Sequence, residues 1–109
     1  MNNITVSLVY NGKIHNLSFE GEFFFNKNFN TTFPCIYLIV QNTQEFVNKI
    51  IYVGVTEDIN QRMSNHHKID CWKRHVNSNS LYILKQNNNS ERLLIESLII
   101  QQYNPPCNG

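Results

Sequence analysis

Residues 35–40 read Cys-Ile-Tyr-Leu-Ile-Val and residues 49–55 read Lys-Ile-Ile-Tyr-Val-Gly-Val. Both stretches are dense in β-branched and aromatic side chains, the composition of strands that pack on a pleated surface. The polar segment at 41–48 is long enough for the chain to reverse between them. An antiparallel hairpin made from the two sets the phenols of Tyr37 and Tyr52 side by side.

The pattern changes after Gly54. Thr56 is an N-cap candidate, Glu57 and Asp58 fill a first turn where the helix dipole favours negative charge, and Ile59 and Met63 mark an apolar stripe. Arg62 and His66, four apart, share one face of that helix. Residues 67–79 show no periodicity, although Trp72-Lys73-Arg74-His75 concentrates basic and aromatic character. Leu81, Ile83 and Leu84 predict a third strand over 80–85. After an Asn-rich loop, Ser90 is an N-cap for a helix over 91–103, which Asn104-Pro105-Pro106 stops.

Upstream, Ile4, Val6, Leu8 and Tyr10 alternate with polar neighbours, and Asn11-Gly12 supplies the positive φ angles of a type I′ turn into a second strand over 13–19. Glu20-Gly21-Glu22 is expected to end that hairpin. Phe23-Phe24-Phe25, costly to leave in water, either anchors the hairpin to the core or forms a partner or dimer surface. Residues 26–32 read as a polar linker, and Phe33-Pro34 forces an extended approach to the next strand.

The chain has 109 residues, 41% of them hydrophobic, enough for one core and too few for two ordinary domains. Its net charge of +1 excludes a strong general field for polyanions, so nucleic-acid binding must rest on local clusters of cations. The start of the chain lacks a signal-peptide pattern, and no apolar run approaches the length of a bilayer span. A cytoplasmic protein without membrane contact is the expectation. Cys35, Cys71 and Cys107 are odd in number and widely spaced, which fits reduced thiols.

On the last helix, Glu96 falls on a partly apolar face with Arg92, Ile99, Ile100 and Tyr103. One reading is an ion pair with Arg92 at a solvated edge. The other is a carboxylate held at the core's edge to bind a hard cation such as magnesium. Lys68, Lys73, Arg74 and His75, with Trp72 among them, read either as a phosphate-binding patch or as a solvated loop. His67, Cys71 and His75, spaced by four, also offer a zinc set with His66 as a fourth ligand.

The order of Cys35-Ile36-Tyr37, Tyr52-Val53-Gly54, Arg62, Glu96 and Tyr103-Asn104-Pro105-Pro106-Cys107-Asn108 resembles the GIY-YIG nuclease superfamily over about residues 34–108. Three departures are visible: Cys35 stands where the first motif has glycine, the connection from Tyr37 to Tyr52 is longer than usual, and the lysine that excision-repair members carry near the second motif is missing, leaving its role to His66 or to nothing. The resemblance implies a small α/β (α+β) domain, with a three-stranded antiparallel sheet flanked by helices. An N-terminal β-hairpin over 1–31 would precede the nuclease core at 32–109.

It further implies that Tyr37 is the general base or positions the attacking water, and that Tyr52 is a second active-site phenol. Arg62 would stabilise charge on the phosphate, Glu96 would hold a single magnesium (or manganese) ion, and Asn108 would help close the site. His66 resembles an additional histidine of the homing-endonuclease branch, with His75 a lesser candidate. The implied activity is magnesium-dependent hydrolysis of DNA phosphodiesters. The rival reading is a module that keeps the fold and binds nucleic acid or protein without cutting. A homodimer or protein partner would use the N-terminal hairpin.

Overall fold

The computed structural model describes residues 3–44 and 47–109. Met1 and Asn2, and the Glu45 and Phe46 of the 41–48 reversal, lie outside the described residues. The elements run β1 (Ile4–Tyr10), β2 (Lys13–Phe24), β3 (Cys35–Gln41), β4 (Lys49–Thr56), α1 (Ile59–Ser64), α2 (Ile69–Lys73), β5 (Asn79–Lys85) and α3 (Asn89–Tyr103). A single 3₁₀ turn follows at Pro106–Asn108.

The strands make one five-stranded sheet, in order β1-β2-β5-β3-β4. The hairpin that decides the fold forms as read: β3 and β4 pair antiparallel, with Tyr37 opposite Gly54 and Tyr52 opposite Ile39. The β1–β2 turn also forms as read, with Asn11 at φ 53° and Gly12 at φ 72°.

The three-stranded expectation is corrected to five because β2 does not stop at Glu20-Gly21-Glu22. It continues to Phe24 and pairs with β5, Glu20 opposite Ile83 and Phe23 opposite Leu81. Gly21 permits this, since a Cβ there would lie 2.3 Å from the Tyr82 ring that crosses it. The hairpin is therefore part of the sheet.

Both faces of β3 are buried, which explains its unbroken apolar run. Ile36, Leu38 and Val40 pack with Ile4, Val6, Leu8, Phe19, Ile95 and Ile99 under α3. Cys35, Tyr37 and Ile39 face the other way, with Ile59, Met63, Trp72 and Cys107. Each fully buried aliphatic side chain contributes about 1.5–3 kcal/mol.

The apolar side of the N-terminal hairpin is thus covered by its own chain, which leaves no support for a dimer surface there. Gln102 exchanges two hydrogen bonds with the backbone of Val9, and the Tyr103 hydroxyl donates to the Ser7 carbonyl. Of the three phenylalanines, Phe25 is buried edge-on against Trp72 and Phe23 meets Phe29, while Phe24 stays exposed.

Several local expectations shift. α1 is capped by Asp58, which accepts from the Gln61 N–H, rather than by Thr56. Thr56 still belongs to β4, paired with Cys35. α3 is capped by Asn88 rather than Ser90, because the Asn88 side chain accepts from the Glu91 N–H. Asn104, in the left-handed region at φ 48°, ends α3 as the proline pair requires.

Residues 67–79, read as aperiodic, contain α2. Trp72 is fully buried there rather than solvated. Cys71 and Cys107 form a disulfide, correcting the expectation that the thiols are reduced, and Cys35 alone is free. Local spacing could not show this pairing, because the fold brings α2 against the C-terminal turn. No helix among the described residues is long and apolar enough to cross a membrane.

Candidate active site

Tyr37 comes from β3, Tyr52 from β4, Arg62 from α1, His66 from the turn after α1, and Glu96 from α3. The register offset of two residues puts the two tyrosines diagonally on one face of the hairpin, with ring centroids 6.0 Å apart. Gly54 makes room for the first of them. A Cβ at residue 54 would meet Tyr37 Cζ and Oη at 2.3 Å, so the ring lies across the glycine.

His66 Nε2 lies 2.8 Å from Tyr37 Oη. Its other nitrogen, Nδ1, accepts the Lys68 N–H at 3.0 Å and so carries no proton when the ring is neutral. Burial, then the neighbouring charges of His67, Arg62 and Lys68, lower the His66 pKa to about 4, so the ring is neutral near pH 7. Neutral His66 therefore holds its proton on Nε2 and donates to Tyr37. Tyr37 in turn directs its own proton to Tyr52, with which it shares a hydrogen bond.

The imidazole is held by rings on every side. Trp72 packs at 4.3 Å between centroids, His67 stacks at 4.8 Å, and Tyr52 presents its edge at 5.2 Å.

Burial pushes the Tyr37 phenol well above the ordinary tyrosine range, and Arg62 pulls it part of the way back. Tyr52 is raised less severely, again chiefly by burial, and the hydrogen bond from Tyr37 offsets this in part. Glu96 is half-buried, and desolvation raises its carboxyl pKa against the opposing pull of Arg62. Arg62 is thus the cation shared by Tyr37, Tyr52 and Glu96. Arg92, the alternative partner for Glu96, is instead buried, donates to the Gln86 carbonyl and to Asn89, and lies 3.9 Å from Glu57.

The Asn108 amide accepts from the Val53 N–H and donates to the Val53 carbonyl, both at 2.9 Å. It fastens the C-terminal turn to β4 next to Tyr52. Cys35 is fully buried behind the site, and burial pushes its thiol up to about 12, so it packs as an uncharged core residue.

The basic patch divides. Lys68 sits beside His66, while Lys73, Arg74 and His75 line a separate cavity of about 500 Å³ with Glu22, Asn77 and Asn79. The proposed zinc quartet does not assemble as read, because both His66 nitrogens are engaged. Cys71 and His75 meet Cys107 instead.

Trp72, read from the sequence as part of a phosphate-binding patch or a solvated loop, is instead the platform under His66 and Tyr52. The signal was present in Ile69, Trp72 and Val76, whose spacing is that of one helical face.

A family model described as the GIY-YIG catalytic domain matches residues 33–109. No curated protein matches the chain. Among solved structures, the GIY-YIG N-terminal endonuclease domain of UvrC from Thermotoga maritima, bound to magnesium, is similar with a TM-score of 0.57 at 20% identity. That match covers 71% of this chain and 84% of that one. A tyrosine-to-phenylalanine mutant of the same domain, bound to its catalytic divalent cation, gives a TM-score of 0.54 at 21% identity, over 71% and 83% of the two chains. At that identity the likeness establishes the fold.

Proposed function

The chain belongs to the GIY-YIG catalytic-domain family, and from that membership we propose that it is a divalent-metal-dependent endonuclease hydrolysing DNA phosphodiester bonds in a cytoplasmic setting. The observation that carries the reading is the chain of contacts from His66 through Tyr37 to Tyr52, set beside Arg62 and Glu96.

Tyr37 accepts from His66 and donates to Tyr52, which leaves one lone pair to receive a hydrogen bond from the attacking water. Its raised pKa keeps it a phenol before reaction, so it orients the water first. Its part is orientation: the lone pair aligns the water O–H, and Arg62 offsets the negative charge that develops as the water's oxygen attacks phosphorus. Arg62 also neutralises the attacked phosphate, a task suited to a rigid guanidinium.

The donor set fits a magnesium or manganese ion. Glu96 is a half-buried carboxylate whose raised pKa reflects lost hydration, and a hard cation coordinated by it would restore that charge balance. When bound, such an ion supplies charge neutralisation at phosphorus and help for the departing oxygen. Asn108 holds β4, and with it Tyr52, in place. Lys68, whose charge acts on His66, is the cation we assign to a neighbouring phosphate.

A second reading, a domain that binds nucleic acid without cutting, draws on the 0% exposure of Tyr37. Nicking of supercoiled plasmid separates the two. The endonuclease reading expects magnesium-dependent relaxation that Tyr37→Phe and Glu96→Gln each abolish. Binding without cleavage by the wild-type protein, or cleavage that survives both substitutions, overturns it.

A further inference from the structure

Away from the catalytic carboxylate, one sulfur from α2, one from the C-terminal turn and one imidazole converge. The ligand atoms of Cys71, His75 and Cys107 all lie within 4.8 Å of one another. Cys71 and His75 stand one helical turn apart, because the His75 and Val76 N–H groups both bond to the Trp72 carbonyl and carry the coil of α2 onward. Cys107 arrives from the 3₁₀ turn and is buried, whereas Cys71 and His75 are half-exposed. We propose that these three residues form a zinc site that exists when the Cys71–Cys107 disulfide is reduced and is abolished when it is formed.

The donor chemistry selects the metal. Two thiolates and an imidazole suit zinc and disfavour magnesium, which takes oxygen ligands. In tetrahedral zinc geometry two sulfurs lie about 3.8 Å apart, and a sulfur and an imidazole nitrogen about 3.6 Å. Reduction frees the two sulfurs to part to that spacing, and the nearest His75 ring nitrogen already lies within 4.8 Å of both. The ligands come from two segments, one supplying a helical Cys-x-x-x-His pair and the other Cys107. Water takes the fourth position, on the side where Cys71 and His75 reach solvent.

The two states exchange by balanced steps. A thiol reductant cleaves the disulfide, giving two protein thiols while two reductant thiols become a disulfide. Zinc then binds both sulfurs with release of two protons, His75 binding as neutral imidazole. A two-electron oxidant of the disulfide class reverses this: the sulfurs rejoin, the oxidant becomes two thiols and the ion is released. In either state the same two segments stay tied together. Cys71 adjoins Trp72, which supports His66, and Cys107 adjoins Asn108, which holds β4. The site thus preserves the catalytic platform in both reducing and oxidising surroundings.

The test uses the full chain and cobalt(II) as a spectroscopic stand-in for zinc. Reduced protein is expected to bind one cobalt with a thiolate-to-metal charge-transfer band and intense visible absorption, bleached by added zinc. Oxidised protein should show neither signal. His75→Ala leaves the disulfide able to form, so its folding is checked by circular dichroism in the oxidised state. In the reduced state it should weaken cobalt binding by about tenfold or more. Cys107→Ser should remove the two-thiolate spectrum while retaining buried Cys35 as an internal control. A reduced wild-type protein without the charge-transfer band, or a His75→Ala variant with wild-type affinity, overturns the proposal. Neither readout depends on nuclease activity.

Discussion

The Tyr37 ring lies directly over Gly54, its cross-strand partner, leaving no space for a side chain there. The glycine of the second motif strand is therefore a packing requirement set by the tyrosine of the first. Gly54→Ala must push the ring away, displacing its hydroxyl from His66. The expected cost is about 1–3 kcal/mol of stability, as for other overpacked cores, together with loss of nicking. Urea unfolding and a plasmid assay check both, and an alanine variant with unchanged stability and activity would show that the ring is not held as described.

Tyr37→Phe removes one oxygen and keeps the ring. The His66 N–H then loses its acceptor in a buried site, which costs about 1–3 kcal/mol. With Tyr37 orienting the attacking water, nicking should fall by about 100-fold or more, with DNA affinity little changed. Gel-shift and single-turnover assays on one preparation separate these effects, and equal losses in binding and cleavage would argue for a structural role.

Glu96 is expected to behave differently. Its carboxylate is half-buried and partly stripped of water, so Glu96→Gln should leave stability unchanged or slightly higher. Activity should drop by about 100-fold or more, an effect chelation of magnesium reproduces in the wild-type protein. A glutamine variant that melts early would place the residue among the structural ion pairs.

His66 makes stability depend on pH. Its folded pKa, about 4, lies below the ordinary histidine value. Between the two, the unfolded chain binds the proton and the folded one does not. Stability is therefore full above about pH 6.5 and declines as pH falls toward 4, by up to about 3 kcal/mol. Glu96, with its raised pKa, opposes this trend, losing stabilisation as pH rises. Comparing urea midpoints of wild type and His66→Gln across that range isolates the histidine, and parallel curves would refute its neutral burial.

Much of the frame of the candidate site is legible in the sequence, because strands and tight turns write their geometry locally. Asn11-Gly12 announced its positive φ pair, and the two tyrosine strands announced their pairing. What escaped the sequence depends on contacts between distant segments. Whether Thr56 or Asp58 caps α1 depends on where β4 stops pairing with Cys35. The burial of Trp72 is set by His66, Tyr52 and Phe25, and the basic residues around it masked a helix of five residues. The Cys71–Cys107 link joins positions 36 apart, a separation that no local period encodes.

Asn108 offers the sharpest separation of a positioning role from a catalytic one. Its amide uses both an acceptor and a donor on the Val53 backbone, so it has a structural task irrespective of substrate. Asn108→Ala forfeits both bonds and should cost about 2–3 kcal/mol. Asn108→Asp keeps the acceptor for the Val53 N–H but turns a second oxygen toward the Val53 carbonyl, so it should be at least as destabilising at neutral pH. Lowering the pH to protonate the new carboxyl restores a donor, and part of the lost stability should return. Thermal melts of the two variants and wild type at neutral and acidic pH measure this directly. Recovery in Asn108→Asp but not in Asn108→Ala identifies the Val53 clasp as the origin of the effect, and the absence of recovery rules it out.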